Sequence, residues 1–352
     1  MSAAHTNALP PTPDDCAIWD IWLSQFRLPI VNVNAQVGTF AALAEAPRTC
    51  EDLAAHLGVD ARALAMHLAA LCAMGLAEKR LGMWRATHLA RRWLHPDGEG
   101  YWGYFCRQID RNTHLQGQLL ESLKTGRRPG EAAQSDGEFV ARPAEWERGT
   151  MSAEAARGIA AFMHAHSQAP ALGAATQPVF STLKCLMDVG CGSGVYGIEI
   201  ARANPTLKVV LMDLAEMAAE AQSYVERAGM GAQVTTAGVN MFTQEWPREA
   251  DGHFFSNVFH DWSDETCRLL ARKSFEALPS GGRIFLNEIL MDDEGTGPFP
   301  AAAFSLLMLI GTLGKQYSLA EFRDILESAG FTQVTAERTG GGYFSLVSAV
   351  KP

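Results

Sequence analysis

The chain has 352 residues, of which 47% are hydrophobic, and 29 lysines and arginines against 39 aspartates and glutamates give a net charge of −10. This length allows two or three domains with a sizeable core, and the acidic balance argues against a protein whose main task is to hold nucleic acid or an anionic membrane. The seven cysteines include no CxxC pair, which argues against a zinc or disulfide framework and is typical of a reducing cytosol.

The first 15 residues are rich in proline and small polar side chains, and we predict that they form a flexible tail. They lack the charged and apolar regions of a signal peptide. The longest apolar run, 301–313, is shorter than the ~20 residues that a membrane span needs. We therefore expect a cytoplasmic protein that does not enter a membrane.

The residues after the tail carry a helical pattern that ends in a hairpin. Residues 33–46 are predicted to form one helix that stops at Pro47. Thr49 and Asp60 are predicted to cap the next two helices, because their side chains can accept a hydrogen bond from a free N–H group. Two short strands around Gly82 follow. Helix, turn, helix and hairpin together predict a winged helix.

A winged helix suggests DNA binding, and the second helix, 60–74, would be the one that enters the major groove. Among its residues only Arg62 and His67 could contact bases or phosphates. We therefore favour a winged helix used for packing or dimerisation, with a ligand-sensing DNA regulator as an alternative. The whole helical domain is predicted to span 16–160, with a further helix at 101–123 and a loop at 126–149.

From residue 184 the chain alternates between strand and helix patterns, which predicts a parallel sheet in a domain that spans 161–352. A helix at 151–166 leads into this domain, and Ser318 opens a later helix with a capping box. The predicted strands are 185–189, 208–213, 233–237, 253–258, 283–288, 331–337 and 343–350.

The first strand of this sheet breaks into three glycines, Gly190, Gly192 and Gly194, and the second ends in Asp213. Glycine suits a tight turn against a close-lying ligand because it has no Cβ atom. An acid at the end of the second strand can accept hydrogen bonds from both hydroxyls of a ribose. The pattern predicts a nucleoside-binding βαβ unit.

Two cofactors are compatible with this unit. Residues 192–197 satisfy the GxGxxG pattern of a dinucleotide dehydrogenase, which is a weak signal alone. The turn, however, begins at Gly190, and Asp188 stands two residues before it. This register favours S-adenosylmethionine, whose cationic sulfonium and ammonium also suit acids at the strand ends. An NAD-dependent oxidoreductase stays an alternative.

A possible general base follows the fourth strand, in the segment His260-Asp261-Trp262. Carboxyl ends of parallel strands meet at one edge of the sheet, so His260 is expected beside the glycine turn. Glu288 ends the fifth strand at the same edge and could orient the imidazole and stabilise its protonated form.

Five segments occur in a fixed order: 188–194 (DVGCGSG), 213–214 (DL), 238–242 (GVNMF), 260–262 (HDW) and 278–282 (LPSGG). In that order they resemble the small-molecule O-methyltransferases of the caffeate, hydroxyindole and bacterial polyketide-tailoring type. The resemblance implies an α/β fold, with a Rossmann-like class I methyltransferase domain behind an N-terminal, mostly α-helical winged-helix dimerisation domain. It therefore implies a homodimer.

The resemblance also implies a role for individual residues. His260 would be the general base, with Glu288 and Asp261 beside it. The S-adenosylmethionine contacts would be Asp188, Gly190, Gly192, Gly194, Asp213, Leu214, Asn240, Met241 and Ser256. The acceptor pocket would be lined by Met163, Phe304, Met308 and Gln316, and no metal is implied.

Two residues depart from the family's pattern. Asn240 stands where the family usually has aspartate, and its carbonyl can still accept a hydrogen bond from the adenine amine. Neutral Gln316 stands where a second acid usually flanks the base, which bears on the basicity of His260.

We therefore predict methyl transfer from S-adenosylmethionine to a hydroxyl, most readily a phenol, of an aromatic small molecule made in secondary metabolism. The alternatives are N- or C-methylation, or a use of the same cofactor without methylation.

Overall fold

A computed structural model of the chain describes a helical region followed by an α/β region. The predicted tail lies outside the described residues except for Asp15, and so does most of the predicted loop at 126–149. The described residues are 15–97, 101, 114–129, 149–340 and 342–352.

The helical region contains the predicted winged helix, and both predicted caps are confirmed. Thr49 Oγ1 accepts a hydrogen bond from Asp52 N at 3.1 Å, and Asp60 Oδ1 accepts one from Ala63 N at 2.8 Å. Each bond satisfies one of the N–H groups that a helix start leaves free. The elements are α1 Cys16–Ser24, α2 Arg27–Val37, α3 Thr39–Glu45, α4 Cys50–Leu57, α5 Ala61–Ala73, β1 Ala77–Arg80, β2 Met83–Ala86, α6 His88–Trp93 and α7 His114–Thr125.

One helix prediction in this region is wrong. Residues 33–46 do not form a single helix, because α2 ends at Val37 and α3 begins at Thr39. Gly38 between them has a φ of +86°, a left-handed conformation that glycine adopts without steric cost and that commonly ends a helix. Of the predicted helix at 101–123, residue 101 is described and is not helical, and residues 114–123 lie in α7.

The α/β region contains all seven predicted strands, each with boundaries within two residues of those predicted. The capping box at Ser318 is also confirmed, because its hydroxyl accepts from Glu321 N while the Glu321 side chain accepts from Ser318 N. The elements are α8 Ala153–Ala175, β3 Cys185–Val189, α9 Val195–Ala203, β4 Lys208–Asp213, α10 Ala215–Ala228, β5 Val234–Gly238, β6 Gly252–Ser256, α11 Asp264–Ala277, β7 Arg283–Glu288, α12 Phe299–Gly311, α13 Leu319–Ser328, β8 Thr332–Arg338 and β9 Ser345–Val350.

The seven strands form one sheet in the order β5-β4-β3-β6-β7-β9-β8. The pairs among β3 to β7 are parallel, and β9 pairs antiparallel with both β7 and β8. From β3 the chain first builds one half of the sheet and then returns to build the other. The crevice at the carboxyl ends of β3 and β6 is therefore a topological switch point, where open α/β sheets bind ligands.

Helix α8 is longer than the predicted 151–166, since it continues through Pro170 to Ala175. The predicted domain boundary at residue 160 falls inside this helix. Its inner face packs on α9 and α10, so α8 forms a wall of the switch-point crevice.

The helical region and the α/β region share one apolar core. Helix α5 packs on α12, and the buried side chains of both helices belong to a single cluster with those of α1 and α2. The two side chains of α5 that could have served as base readers are engaged within the molecule. Arg62 donates to the carbonyl oxygen of Gly314 at 3.0 Å, and buried His67 has its Nδ1 2.9 Å from Asn34 Nδ2. Among the described residues, no helix has the length and apolar character needed to cross a membrane.

Candidate active site

The glycine turn after β3 is held by backbone bonds to the neighbouring strand. Gly190 N donates to the carbonyl oxygen of Met212 at 2.8 Å, and all three turn glycines have positive φ values of 70°, 56° and 76°. A Cβ atom at Gly194 would lie 2.4 Å from Leu211 Cδ1. Leu211 is on a buried strand, where close packing leaves its side chain little room to move away. Glycine is therefore required here both by conformation and by space.

Asp213 closes the turn from the end of β4. Its Oδ2 accepts from Gly192 N at 2.9 Å and its Oδ1 from Leu214 N at 2.7 Å. Desolvation raises the pKa of this carboxyl to about 6, although the two N–H groups act in the opposite direction. A carboxylate offers about four lone-pair sites, so two of them are left for a ligand.

Asp188 lies beneath the turn. It is 2% exposed, and its Oδ2 accepts from Gly197 N at 3.1 Å, at the start of α9. Burial raises its pKa to about 7. The structure therefore places Asp188 where it supports the turn from below.

A small cavity opens beside Asp213. The residues that line it include Leu214, Met241, Phe242 and Trp262. Asn240 also lines it, and its Oδ1 accepts from Phe242 N at 2.9 Å and Thr243 N at 3.2 Å. The chain's own turn therefore occupies the carbonyl that was predicted to contact adenine, and the NH₂ group of Asn240 could still donate to a ligand. Apolar residues next to a carboxylate could contact the base and the ribose of a nucleoside.

Ser256, at the end of β6, belongs to a buried polar cluster. Its Oγ donates to the carbonyl oxygen of Asn287 at 3.1 Å and accepts from Asn287 Nδ2 at 3.0 Å. Asn257 Nδ2 lies 3.5 Å from the hydroxyl of Tyr196, and Asn257 has a left-handed φ of 55°. Sequence reasoning missed Asn257, Asn287 and Tyr196, because nothing in their spacing distinguishes them from ordinary strand-end residues.

His260 lies in a short 3₁₀ turn after β6 and is 4% exposed. Its Nδ1 is 3.0 Å from Glu288 Oε2, and its Nε2 is 3.7 Å from Asp261 Oδ1. Glu288 is fixed in turn, because its Oε1 accepts from Val258 N at 3.1 Å. Burial lowers the pKa of His260, but the Glu288 and Asp261 carboxylates outweigh that effect and raise it above the ordinary value. The predicted pairing of His260 with Glu288 at one sheet edge is therefore present.

Gln316 contacts the same imidazole. Its Nε2 lies 2.9 Å from His260 Nδ1, and its backbone N donates to Ser305 Oγ at 3.0 Å. Gln316 and Ser305 also line a cavity of about 640 Å³ between α5 and residues 291–295, whereas the turn glycines and His260 do not line it. This cavity lies away from the nucleoside site, and we do not assign the acceptor to it.

The other predicted pocket residues surround the imidazole less closely. The Phe304 ring is 5.2 Å from that of His260, centroid to centroid, and Met308 is buried in the core shared with α5. Met163 lies over the turn, with its Cβ 4.0 Å from the place that a Cβ atom of Gly192 would take.

Three further aromatic rings surround Phe304 and were not predicted as pocket residues. Trp19 and Trp22 of α1 lie 5.6 and 5.8 Å from the Phe304 ring, and His166 of α8 stacks on it at 6.5 Å. Tryptophans three residues apart in a helix are typical of a core face, so their sequence carried no specific signal.

Across the described parts of the chain, no group of three or more His, Cys, Asp and Glu side chains could hold a metal ion. The sheet edge brings together the His260 imidazole, the Glu288 carboxylate next to it, and the glycine turn with Asp213.

Comparison with known protein families gives two matches. A model described as an O-methyltransferase domain matches residues 138–332, more than half of the chain. A second model, described as a bacterial regulatory protein of the arsR family, matches residues 41–79, which include the winged helix from α4 to β1.

Individual relatives match over the whole length. The chain is 30% identical to 3-hydroxy-5-methyl-1-naphthoate 3-O-methyltransferase from Streptomyces sahachiroi, over 100% of both chains. It is 26% identical to phenazine O-methyltransferase PhzM from Lysobacter antibioticus, over 90% of each. A solved structure of an O-methyltransferase family 2 protein from Planctomyces limnophilus, in complex with apigenin, is 25% identical over 100% of both chains, with a TM-score of 0.81.

Proposed function

The chain belongs to the S-adenosylmethionine-dependent O-methyltransferase family, and from that premise we propose that it methylates a phenolic hydroxyl of an aromatic small molecule with His260 as the general base. The observation that carries the proposal is the buried His260–Glu288 pair, with 3.0 Å between Nδ1 and Oε2, at the edge that also holds the glycine turn and Asp213. The names of two full-length relatives, a hydroxynaphthoate and a phenazine O-methyltransferase, support an aromatic acceptor.

We assign the nucleoside of S-adenosylmethionine to the cavity beside Asp213. The two lone-pair sites of Asp213 that the backbone leaves open would accept from the ribose hydroxyls. Met241 and Phe242 would pack on adenine, and the Asn240 NH₂ group would donate to a ring nitrogen. Gly190, Gly192 and Leu214 would contact the cofactor through their backbone, while Asp188, Gly194 and Ser256 would shape the site from below.

When bound, the cofactor supplies an electrophilic methyl group on its sulfonium. His260 Nε2 would accept the hydroxyl proton of the acceptor as its oxygen takes up that methyl group. Glu288 keeps the other ring proton on Nδ1, so that Nε2 faces the acceptor with a lone pair. A phenol with a pKa near ~10 is a weak acid beside an imidazole near ~6.5, so proton transfer should accompany the attack rather than precede it.

Much of the rate would come from alignment, since holding two reactants in attack geometry can supply about 7–11 kcal/mol. Phe304, Met308 and Met163 would form the acceptor wall on the α/β side, and Trp19 and Trp22 of α1 would support Phe304 from behind. The Phe304 ring would suit a flat aromatic acceptor.

The test is transfer of a labelled methyl group from S-adenosylmethionine to a panel of phenols, catechols, quinones and heteroaromatic hydroxyls, with the product identified by mass spectrometry. His260→Ala should lower the rate by roughly 10²–10⁴-fold, because general-base catalysis contributes that much, and should leave S-adenosylhomocysteine affinity nearly unchanged. Full activity in that variant would remove His260 from the proposal. Label found on carbon or nitrogen would replace O-methylation by the alternative reaction.

We also propose that the protein acts in the cytoplasm as a homodimer formed through residues 16–160. The outward face of α1 supports an interface, because Ile18 and Ile21 are 66% and 69% exposed and lie one helical turn apart.

A further inference from the structure

His260 Nδ1 has two polar neighbours that make opposite demands on it. Glu288 Oε2 lies at 3.0 Å and can only accept a hydrogen bond when ionised, whereas Gln316 Nε2 lies at 2.9 Å and can only donate one. A ring nitrogen carries either a proton or a lone pair in its plane. It therefore cannot donate to Glu288 and accept from the Gln316 NH₂ group at the same time.

The side chain of Gln316 can resolve this conflict. Gln316 is 1% exposed, and its Oε1 is buried with no hydrogen-bond partner among the described residues, as is Glu288 Oε2 while Nδ1 contacts the Gln316 NH₂ group. A half-turn of the amide exchanges Oε1 and Nε2 and brings the carbonyl against Nδ1. Before the half-turn, the NH₂ group can donate to an Nδ1 that carries no proton. After it, the carbonyl can accept from an Nδ1–H that is shared with Glu288.

In the described part of the chain, the charged and titratable groups around the imidazole come from four elements. Glu288 of β7 faces Nδ1, and Asp261 of the same turn faces Nε2. His166 of α8 lies near enough to feel the charge of His260, and burial lowers its pKa to about 4, which keeps it neutral. Lys315, next to Gln316, is ion-paired with Glu321. Phe304 of α12 adds an apolar edge. Gln316 therefore occupies, with a neutral group, the remaining polar position against Nδ1.

We propose that Gln316 is a positioning residue that acts through His260: its carbonyl is a neutral second acceptor for Nδ1–H, which strengthens the base less than a carboxylate would and matches it to acidic aromatic hydroxyls. This inference rests on the proposed function of His260. A carboxylate in the same place would add a second negative charge at Nδ1 and strengthen the base. A base of moderate strength accepts a proton more readily from an acidic hydroxyl than from a simple phenol. An electron-withdrawing substituent on the ring makes a hydroxyl more acidic in this way.

The direct test is an NMR titration of the full-length protein, labelled with ¹⁵N-histidine and saturated with S-adenosylhomocysteine. The His260 signals are identified by their loss in His260→Asn. Gln316→Glu, which has the same shape, should raise the pKa of His260 by about one unit or more, since a nearby opposite charge shifts a pKa by ~1–3 units. Gln118→Glu on the exposed face of α7 adds the same charge far from the site and should leave it unchanged.

A second variant covers the case in which Gln316→Glu fails to fold. Gln316→Met keeps the volume but removes the second acceptor, so the pKa of His260 should fall by roughly half a unit to one unit, the equivalent of one hydrogen bond. A pKa that stays at the wild-type value in either folded variant overturns the proposal. This readout needs no acceptor, so it fails or succeeds independently of the methyl-transfer assay.

Rate measurements test which class of acceptor the enzyme prefers. With 2-naphthols graded in acidity by ring substituents, the wild-type enzyme should favour the more acidic members, and Gln316→Glu should shift this preference toward the less acidic ones. The acid limb of the pH–rate profile of Gln316→Glu should also move to higher pH, because His260 must be deprotonated to act as a base and its pKa is expected to be higher in this variant. An unchanged order of acceptors together with an unchanged acid limb would contradict the matching of base to acceptor.

Discussion

At the scale of single residues, Asp213 has a structural role, to which the proposed function adds a ligand-binding one. Its two oxygens each accept one backbone N–H, from Gly192 and Leu214, and so tie the glycine turn to the start of α10. Under the proposed function the same oxygens would also receive the ribose. Replacing an acceptor of such a carboxylate by a donor should therefore be harmful, because each of its lone pairs would accept a hydrogen bond.

Asp213→Asn replaces one acceptor by an NH₂ donor that faces a backbone N–H. Leaving such a group unsatisfied costs about 1–3 kcal/mol, so we expect the Kd for S-adenosylhomocysteine to rise roughly 10- to 100-fold by calorimetry. Because the pKa of Asp213 is raised to about 6, wild-type affinity should fall as the pH drops below 6, whereas the variant should be nearly independent of pH there. Asp52→Asn, exposed on α4, is the matched control and should bind like wild type. Equal affinity in Asp213→Asn would show that the ribose lies elsewhere.

The sequence was sufficient to predict the position of residues that lie at the end of a strand. Asp213, His260 and Glu288 each end or follow a strand, and parallel strands bring such positions to one edge whatever the detailed packing. Asn240 was different: its carbonyl was expected to contact adenine, but it accepts from Phe242 N and Thr243 N instead. Which atom of a side chain faces a ligand depends on local turn geometry, which a sequence pattern does not encode.

At the scale of elements, the close approach of α9 to β4 positions the glycine turn. A Cβ atom at Gly197 would lie 2.4 Å from Leu211 Cδ2 and 3.0 Å from Val209 Cγ1, both on β4. Gly197 N also donates to Asp188, which lies on the neighbouring strand β3, at 3.1 Å. Glycine at this helix position therefore serves packing and hydrogen bonding together, despite its poor helix propensity.

Gly197→Ala should lower the free energy of unfolding by about 1–3 kcal/mol, because overpacking a filled contact forces strand and helix apart. Gly158→Ala is the matched control within a helix. Gly158 lies exposed on α8 with no heavy atom near the new methyl group, so alanine should raise stability by about 0.5–1 kcal/mol. Urea unfolding of both variants measures whether each substitution lowers or raises the free energy of unfolding. A Gly197→Ala protein as stable as wild type would mean that α9 can move away without cost.

Element boundaries followed from the sequence where a local signal set them. Thr49, Asp60 and Ser318 cap helices as predicted, because a cap is an interaction between residues three apart. Gly38 was misjudged, since a glycine in a helical pattern either continues the helix at some cost or ends it in the left-handed conformation. Packing of α2 and α3 on different neighbours decides between these outcomes, and those neighbours are distant in sequence.

At the scale of the whole molecule, the proposed acceptor side lies where the helical and α/β regions meet. Trp19 of α1 lies 5.6 Å from the Phe304 ring of α12, and Tyr343 near the carboxyl end donates to Asp20 Oδ1 at 2.8 Å. Contacts across some 300 residues of sequence have no local signature, which is why the sequence pattern placed the strand-end residues at one edge but did not place Trp19 beside Phe304.

The proposed homodimer gives the last test at this scale. On α1, Trp19 and Leu23 face the core at 3% and 0% exposure, while Ile18 and Ile21 face outward. Burying two isoleucine side chains in an interface contributes about 1.5–3 kcal/mol each, which a charge would abolish. We therefore expect the double variant Ile18→Lys with Ile21→Lys to shift the protein toward the monomer in light scattering, at concentrations where wild type is a dimer. Leu81→Lys at the tip of the wing, where Leu81 is fully exposed, carries the same kind of change and should remain dimeric. If both proteins have the mass of wild type, the outward face of α1 does not form the interface; if wild type is itself a monomer, the proposal of a homodimer falls.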